Sequence, residues 1–593
     1  MDYLHLNPVG FHKVNINDAF WSKRIETIRK VTTWACIEEC EKGHRIDNFR
    51  RVAGTQPGGF EGEYMFNDSD AYKVLEGVAY VLMGGADPVL EAKADEIIDI
   101  ICSAQQEDGY LYTFYTLNTP EKQWTDMHYH ECYCLGHMLE GAIAYAQATG
   151  KEKWLNAAIR AVEQMMRVNN PVDGQTWVPG HQEIELALVK LYRYTGEKKY
   201  LEYAQWLIEV RGKGLLVSPT KRGCMLNPEY CQDDKPVREL ERVTGHAVRA
   251  MYYYSAISDI AAILGDKVLD ETMRRVWSNV VPANLYITGG IGQSGYNEGF
   301  TEDWSLPNLT AYCETCASIG MAMWNQRMNF TCGESKYADL VETEIYNGIL
   351  SGISLSGDKF FYENPLASVG LHHRSKWFGC SCCPTNIIRL IPSVGGYVYA
   401  TTGDVLYLNQ FIQSEAKVPM DAGEVGVTIR TDYPWDGAVN VKIDSCEGER
   451  TLRIRRPGWC ESAQLKLNGE AVTDMLNGYY TMTVREGDCI EYVMDMPVKR
   501  VYADERVKEN AGRVAVMRGP LVYCAEEMDN PGLISEFFHY EKALAKETEL
   551  EAKFEPDLLD GVVTISGEGV KLVPYYAWDN RESGSMVVWM KEN

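Results

Sequence analysis

The sequence lacks the features by which nucleic-acid-binding and membrane proteins are usually recognised. It has no run of basic residues, and 58 Lys and Arg against 84 Asp and Glu give a net charge of −26 at pH 7. Because phosphate groups bind clustered Lys and Arg, this charge argues against nucleic acid or an anionic membrane surface as a partner. No uninterrupted apolar stretch reaches the about 18 residues of a membrane span. A small neutral or polymer-derived ligand suits this composition better.

Two further absences concern the cellular compartment. Residues 1–18 contain no basic segment followed by an apolar run, which is the pattern of a signal peptide. The 17 cysteines are an odd number spread over 593 residues, which indicates reduced thiols rather than a disulfide framework. We therefore expect a cytoplasmic protein in which thiolate chemistry is available.

From about residue 20 to residue 400 the apolar pattern is helical, and it repeats. The units 130–150 and 181–196 both start with His, continue as a helix and end at Thr-Gly, which is a typical helix stop. A third unit spans 245–265, and a unit without His opens at 68–70. Repeated helix pairs stack as a solenoid or close into a ring. Since the units begin with polar residues, a closed (α/α) toroid with a polar pocket at one face is the simplest arrangement.

After Gly395-Gly396 the period of the apolar residues changes to two. Alternating segments such as 425–430 and 439–443 are separated by turn signals, which predicts a β-sandwich. A further β region follows 514–523 and runs toward the C-terminus. At this length several domains are expected.

Two short segments carry candidate metal ligands. Glu314 and Cys316 precede one apolar helical run, and Cys382 and Cys383 precede Pro384, a favoured first residue of a helix. Carboxylate and thiolate groups are zinc ligands, and a thiol at a helix N-terminus has a lowered pKa. A structural zinc site and a reactive thiolate are both compatible with this spacing.

Other candidates are weaker when taken singly. Glu298 lies in a Gly-rich loop, where a glutamate is usually solvated surface, and a single His is more often structural. His130, His181 and His246, however, occupy the same position of the repeat, which is typical of a pocket for sugar hydroxyls. Cys380 has no assigned task.

Several short sequence motifs together resemble those of glycoside hydrolase family 127, the β-L-arabinofuranosidase family, and its relative family 146. They cover the helical region almost completely, and Arg455-Arg-Pro-Gly-Trp459 extends the likeness into the β region. The matching phrases are Asp47–Arg50, Phe66–Asp70, Gln106–Tyr110, His130–Tyr133, Pro179–Glu185, Thr244–His246, Glu298–Phe300, Glu314–Ser318 and Cys382–Asn386. The sequence departs from the family pattern at Thr33, which precedes Trp34, and at Asn67. The family has Gln at both positions, and both changes bear on the choice of sugar.

The resemblance implies a multidomain α+β protein, an (α/α)6 barrel catalytic domain followed by β-sandwich domains. The expected division is an N-terminal extended segment at 1–20, the barrel at 21–400, a β-sandwich domain at 401–500 and a second C-terminal β domain at 501–593. The resemblance also implies a retaining exo-glycosidase that uses zinc, with Cys382 as nucleophile and Glu298 as general acid/base. The implied zinc ligands are Glu314, Cys316, Cys382 and Cys383, and the implied substrate-binding residues are His130, His181, His246, Glu342 and Tyr362.

The leading hypothesis is hydrolysis of terminal β-L-arabinofuranosides. One alternative is the same mechanism on another pentofuranoside, such as a branched or acidic deoxy sugar of a plant glycan. An alternative from another class is a carbohydrate-binding protein with a structural zinc. The expected partner is a plant-derived oligosaccharide or glycoside, without nucleic acid or membrane, and a homodimer is a candidate assembly.

Overall fold

The structure is a computed structural model that describes residues 5–172, 174–534 and 541–593. Residues 1–4 of the predicted N-terminal segment lie outside these ranges. The α-helices are α1 (Trp21–Thr27), α2 (Thr33–Lys42), α3 (Arg45–Val52), α4 (Asp68–Met83), α5 (Pro88–Ser103), α6 (Thr113–Asn118), α7 (Glu131–Thr149), α8 (Lys153–Val168), α9 (Ile184–Thr195), α10 (Lys198–Val210), α11 (Ala247–Leu264), α12 (Lys267–Asn284), α13 (Thr315–Cys332), α14 (Ser335–Thr343) and α15 (Cys382–Leu390).

Six of these helices pack side by side into a closed ring. In order, α4 contacts α7, α7 contacts α9, α9 contacts α11, α11 contacts α13, α13 contacts α15, and α15 returns to α4. The inner helix α7 is buried on every side from Glu131 to Ala146, whereas the outer helix α8 buries one face only. This difference is expected when one helix of each pair lines the core and the other covers it. The predicted (α/α) barrel is therefore confirmed.

The predicted helix stops are found where two units end. Gly150 and Gly196 adopt φ of 74° and 76°, a left-handed conformation that glycine adopts without strain. The amide of each glycine donates to a carbonyl four residues earlier and so closes the last turn. The chain then turns back into the outer helix, which brings the start of every inner helix to the same end of the ring.

The β-strands follow the barrel, apart from three short strands that precede its end. The first part comprises β1 (Asn7–Pro8), β2 (Val14–Ile16), β3 (Ala367–Val369), β4 (Tyr399–Thr402), β5 (Val405–Leu408), β6 (Ser414–Val418), β7 (Val425–Thr431), β8 (Ala438–Ser445), β9 (Arg450–Arg455), β10 (Ala463–Leu467), β11 (Glu470–Ala471), β12 (Met475–Leu476), β13 (Tyr479–Val484) and β14 (Cys489–Met494). The remainder comprises β15 (Val498–Val501), β16 (Arg513–Arg518), β17 (Leu521–Glu526), β18 (Ala543–Leu544), β19 (Glu551–Glu555), β20 (Val562–Gly567), β21 (Val570–Pro574), β22 (Ser585–Val587) and β23 (Met590–Glu592).

Two of the sheets form the predicted sandwich. One has the order β1-β4-β5-β9-β13-β12 and the other β11-β10-β14-β8-β7-β6-β2. Residues alternate between buried and exposed along β8, and the inward side chains of both sheets share one hydrophobic core. The N-terminal segment adds one strand to each of these sheets, because β1 pairs with β4 and β2 pairs with β6.

A third sheet follows and is tied back to the barrel. Its main order is β18-β23-β16-β17-β21-β20-β19, and β22 pairs with both β17 and β3, the strand that precedes α15. Arg374, on the chain between β3 and α15, donates to the carbonyl oxygens of Trp578 and Ser351 and so links the sheet to the barrel. Among the helices of the described ranges, none is both long enough and apolar enough to cross a membrane.

Candidate active site

The two ligand-bearing segments meet at the starts of neighbouring helices. Glu314 immediately precedes α13 and Cys316 lies in its first turn, while Cys382 and Cys383 are the first two residues of α15. The sequence suggested Pro384 as the first residue of a helix, and α15 begins two residues earlier, at Cys382. Because α13 packs against α15, the four side chains converge, and their ligand atoms all lie within 4.8 Å of one another.

The spacing of these atoms fits a tetrahedral metal ion of the size of zinc. The Cys383 sulfur lies 3.5 Å from that of Cys316 and 3.8 Å from that of Cys382. Glu314 Oε1 lies 3.3 Å from the Cys382 sulfur and 3.7 Å from the Cys383 sulfur. Zn–S bonds of about 2.3 Å and Zn–O bonds of about 2.1 Å, at tetrahedral angles, place neighbouring ligands roughly 3.6–3.8 Å apart. The donor set therefore has suitable dimensions and chemistry.

Burial makes a cation at this position energetically useful. Glu314, Cys316 and Cys383 are at most 2 % exposed. Burial and the neighbouring Cys382 raise the pKa of the Glu314 carboxyl well above its usual value. Its Oε2 has no hydrogen-bond partner among the described residues. Since buried negative charge without a counter-charge is costly, a divalent cation would stabilise the ionised ligands.

Cys382 differs from the other two ligand cysteines in its surroundings. It is partly exposed, whereas Cys316 and Cys383 are buried. Its sulfur lies 3.3 Å from the Tyr362 hydroxyl and 3.8 Å from the sulfur of Cys380. Among the three candidate ligand sulfurs, that of Cys382 is therefore the one that faces the pocket, and the structure brings Tyr362 to it.

Glu298 lies next to this cluster and is held by His246. Its Oε2 is 3.2 Å from Nε2 of His246 and 3.4 Å from the hydroxyl of Tyr312, and its φ of 50° is unusual for a residue other than glycine. The main-chain oxygen of Glu298 accepts from the amide of Ala247, which fixes the loop against α11. Ligand atoms of His246, Glu298 and Glu314 lie within 4.8 Å of one another.

The hydrogen bonds of His246 define its state. Its Nδ1 accepts from the amide of Val248 at 3.2 Å, so the proton is on Nε2 and is donated to Glu298. Burial lowers the pKa of His246, which leaves the ring neutral at pH 7. Burial raises the pKa of Glu298, but the interaction with His246 and the charge of Arg249 outweigh it and hold that pKa below its usual value. Without a ligand, Glu298 is therefore a carboxylate.

The three predicted histidines form one side of the pocket. The ring centroids of His130 and His181 are 5.5 Å apart, and those of His181 and His246 are also 5.5 Å apart. Each residue stands at or just before the start of an inner helix, and burial lowers the pKa of His130 and of His181 well below the usual value. Neutral imidazoles both donate and accept hydrogen bonds, as sugar hydroxyls require.

The structure does not bring Glu342 to this pocket. Its carboxylate accepts from Arg455 at 2.5 Å, from the Tyr433 hydroxyl at 2.6 Å and from the Trp459 indole at 3.0 Å. These partners belong to the β-sandwich, and Glu342 is 1 % exposed. The implied sugar contact of Glu342 is therefore corrected: its carboxylate joins the barrel to the sandwich, because a buried Arg455 charge needs a partner.

Three further residues shape the site and were not identified from the sequence. Tyr312 contacts Glu298, and Arg249 lies one turn after His246, with its guanidinium 4.8 Å from the ring of Tyr230. Arg45 donates to Asp70 at 3.1 Å and to the oxygen of Gly379 at 2.8 Å, which holds the loop before Cys382. Only the spacing of Arg249 from His246, three residues along one helix face, could have indicated one of them.

Family models match almost the whole chain. The model described as "Beta-L-arabinofuranosidase, GH127 catalytic domain" matches residues 13–396. The GH127 middle-domain model matches residues 405–496, and the family 127 C-terminal-domain model matches residues 498–591.

Individual relatives agree with this match. A curated protein of Bifidobacterium longum subsp. longum, named a non-reducing end beta-L-arabinofuranosidase, is 38 % identical over 617 aligned residues that cover 93 % of this chain and 92 % of that protein. A crystal structure described as a GH127 beta-L-arabinofuranosidase from Geobacillus stearothermophilus T6 is 40 % identical, with a TM-score of 0.93, covering 98 % of this chain and 100 % of that one. Another structure, described as a GH127 beta-arabinofuranosidase, is 38 % identical with a TM-score of 0.92, covering 99 % of this chain and 98 % of that one.

Proposed function

The chain belongs to glycoside hydrolase family 127 and is a glycoside hydrolase; from this premise we propose that it removes terminal β-L-arabinofuranose residues from a plant-derived glycan with retention of configuration. The observation that carries the proposal is the arrangement of the Cys382 sulfur and the Glu298 carboxylate at the same polar pocket. The names of the similar enzymes support the choice of sugar.

In the first step, the Cys382 sulfur attacks the anomeric carbon. The bond from that carbon to the glycosidic oxygen breaks, and Glu298 transfers its proton to the departing oxygen. Glu298 must therefore gain a proton once the sugar is bound. A sugar that occupies the pocket excludes water and competes for the hydrogen bond from His246, and both effects raise the pKa of a carboxyl group.

In the second step, Glu298 takes a proton from water, and the water oxygen attacks the anomeric carbon. The carbon–sulfur bond breaks and the sulfur leaves as a thiolate, so two displacements give net retention. His130, His181 and His246 bind and orient the sugar hydroxyls, and the Tyr362 hydroxyl holds the Cys382 sulfur. We assign no sugar contact to Glu342.

Glu314, Cys316, Cys382 and Cys383 would hold the metal ion, for which Zn²⁺ is the proposed identity. A bound zinc ion would keep the thiol groups deprotonated at neutral pH. Cys316, Cys383 and Glu314 would then fix the position of Cys382, since they would bind the same ion.

A different pentofuranoside is the second candidate substrate, and Asn67 favours it. This residue is 1 % exposed, directly follows the pocket residue Phe66, and its amide has no hydrogen-bond partner within the described ranges. Thr33, by contrast, donates to the oxygen of Ile28, in the helical turn that precedes α2, and is fully buried, so it offers no separate sugar contact. A panel of methyl pentofuranosides would rank the sugars.

The proposal is tested with Cys382→Ser. We expect hydrolysis of an aryl β-L-arabinofuranoside to fall by at least about 10⁴-fold, because a hydroxyl is a far weaker nucleophile than a thiolate, while the protein stays folded. Zinc content, measured by mass spectrometry of the dialysed protein, gives a second readout, and chelation should lower the melting temperature of the wild type. The matched control is Cys380→Ser, which removes a thiol 3.8 Å away and should keep most of the activity. Substantial turnover by Cys382→Ser would exclude Cys382 as the nucleophile.

A further inference from the structure

The wall of histidines continues outward as a stack of aromatic rings. The centroid of Phe66 lies 4.6 Å from that of His130, and Tyr64 stacks on Phe66 at 5.2 Å with planes inclined by 27°. Exposure rises along this series, from 6 % for His130 through the partly buried Phe66 to 36 % for Tyr64. Tyr64 therefore stands at the open end of the same wall.

The segment that carries Tyr64 also packs on the loop before the nucleophile. A Cβ atom at Gly379 would overlap the carboxylate of Glu63, so Glu63 lies directly on the main chain beside Cys380. Burial raises the pKa of the Tyr64 hydroxyl, and the negative charges of Glu63 and Glu298 add to this effect. Tyr64 is thus anchored beside the loop that leads to Cys382, while its ring remains accessible from solvent.

We propose that Tyr64 forms the binding site for the leaving-group sugar, the residue to which the terminal arabinofuranose is linked. This inference depends on the proposed function, since it requires that the terminal sugar is cleaved between Cys382 and Glu298. The rest of the substrate must then extend toward the open end of the pocket. Because Phe66 separates Tyr64 from His130, the Tyr64 ring lies one layer above the contacts of the terminal sugar.

The chemistry of the ring fits this occupant. An aromatic face packs against the C–H face of a sugar or another saturated ring and needs no charge from the ligand. The phenol hydroxyl adds one donor and one acceptor at the rim. A leaving group that contains a ring should therefore bind better than one without a ring, whatever its linkage.

The test compares two substrates in the full-length, zinc-loaded protein. One is methyl β-L-arabinofuranoside, whose leaving group has no ring, and the other is a disaccharide with a terminal β-L-arabinofuranose. For Tyr64→Ala we expect kcat/KM on the disaccharide to fall by about tenfold, mostly through KM, with less than about a twofold change on the methyl glycoside. Tyr64→Phe keeps the ring and should retain most of the activity on both. Tyr194→Ala, which removes a ring of similar exposure (38 %) at the far end of α9, is the matched control and should change neither.

The outcomes separate the two proposals. If the wild type hydrolyses neither substrate, the proposed function is wrong and the inference falls with it. If the wild type hydrolyses both, but Tyr64→Ala loses the same factor on both or on neither, the proposed function stands and the leaving-group site is wrong. A selective loss on the disaccharide supports the site.

Discussion

Replacing Glu298 by Gln should slow hydrolysis most for substrates whose leaving group must be protonated as it departs, and least for those whose leaving group departs as a stable anion. Glutamine can preserve both local contacts, because its side-chain oxygen can replace Oε2 of Glu298, which now accepts from Nε2 of His246 at 3.2 Å and from the Tyr312 hydroxyl at 3.4 Å. A positioned general acid contributes about 10²- to 10⁴-fold, or roughly 3–5 kcal/mol. The carboxylate of Glu314, which lies within 4.8 Å of that of Glu298, is 1 % exposed and faces the thiols, so it cannot replace the lost proton donor. We therefore expect the full factor.

The assay is a series of β-L-arabinofuranosides with different leaving groups. A dinitrophenolate departs without a proton, so the first step of Glu298→Gln on this substrate should fall by less than about tenfold. A methyl or sugar leaving group should show the whole loss. The second step stays slow because no base activates water, and a pentosyl adduct on Cys382 should accumulate and be detected by mass spectrometry. Azide, a nucleophile that needs no base, should restore turnover of the dinitrophenyl substrate.

The matched control is Glu302→Gln, which changes an exposed carboxylate four residues along the same loop. It should leave every rate unchanged. An equal loss across all leaving groups would mean that Glu298 binds or supports the site without transferring a proton. Unchanged rates on the methyl glycoside would refute the assignment altogether.

Two further predictions concern stability. Glu342→Gln should cost about 2–4 kcal/mol in the free energy of unfolding, since among the described residues Arg455 then keeps only Asp339 as a carboxylate partner. The kcat/KM on the methyl glycoside should stay the same. Lost activity at an unchanged melting temperature would contradict the position of Glu342 outside the pocket. Burial raises the pKa of Glu131 to about 8 despite its hydrogen bond from Tyr110, so the folded protein holds a proton that the unfolded chain releases above pH ~4.5. The contribution of Glu131 to the free energy of unfolding is then greatest below that pH and is lost as pH rises toward 8, so between pH 5 and pH 8 the wild type should lose roughly 2–4 kcal/mol more stability than Glu131→Gln. Urea unfolding at pH 5 and pH 8 measures this difference, and an equal change in both proteins would exclude the effect.

Local sequence patterns predicted the features that local physics determines. The Thr-Gly stops, the entry-turn position of Glu314 and Cys316, and the common register of His130 and His181 all follow from residues within one or two helical turns. The location of Glu342 could not be predicted in this way, because its partner Arg455 is 113 residues away in sequence. The same holds for β1 and β2, whose two and three residues pair with strands some 400 residues later and carry no periodic signal of their own.

The direction of the inner helices explains why negative groups and neutral imidazoles collect at the same pocket. Helices α7, α11, α13 and α15 all start at this end of the ring, so their unpaired amides and the positive ends of their dipoles point toward it. This field stabilises the carboxylate of Glu298, and it disfavours a positive charge on the histidines beyond the effect of burial. The neutral imidazole rings of the pocket can therefore form hydrogen bonds to a ligand without pairing, as cations, with the anionic groups. In the proposed mechanism Glu298 must gain a proton before the glycosidic bond breaks, and protonated histidines would oppose this more strongly than neutral rings do.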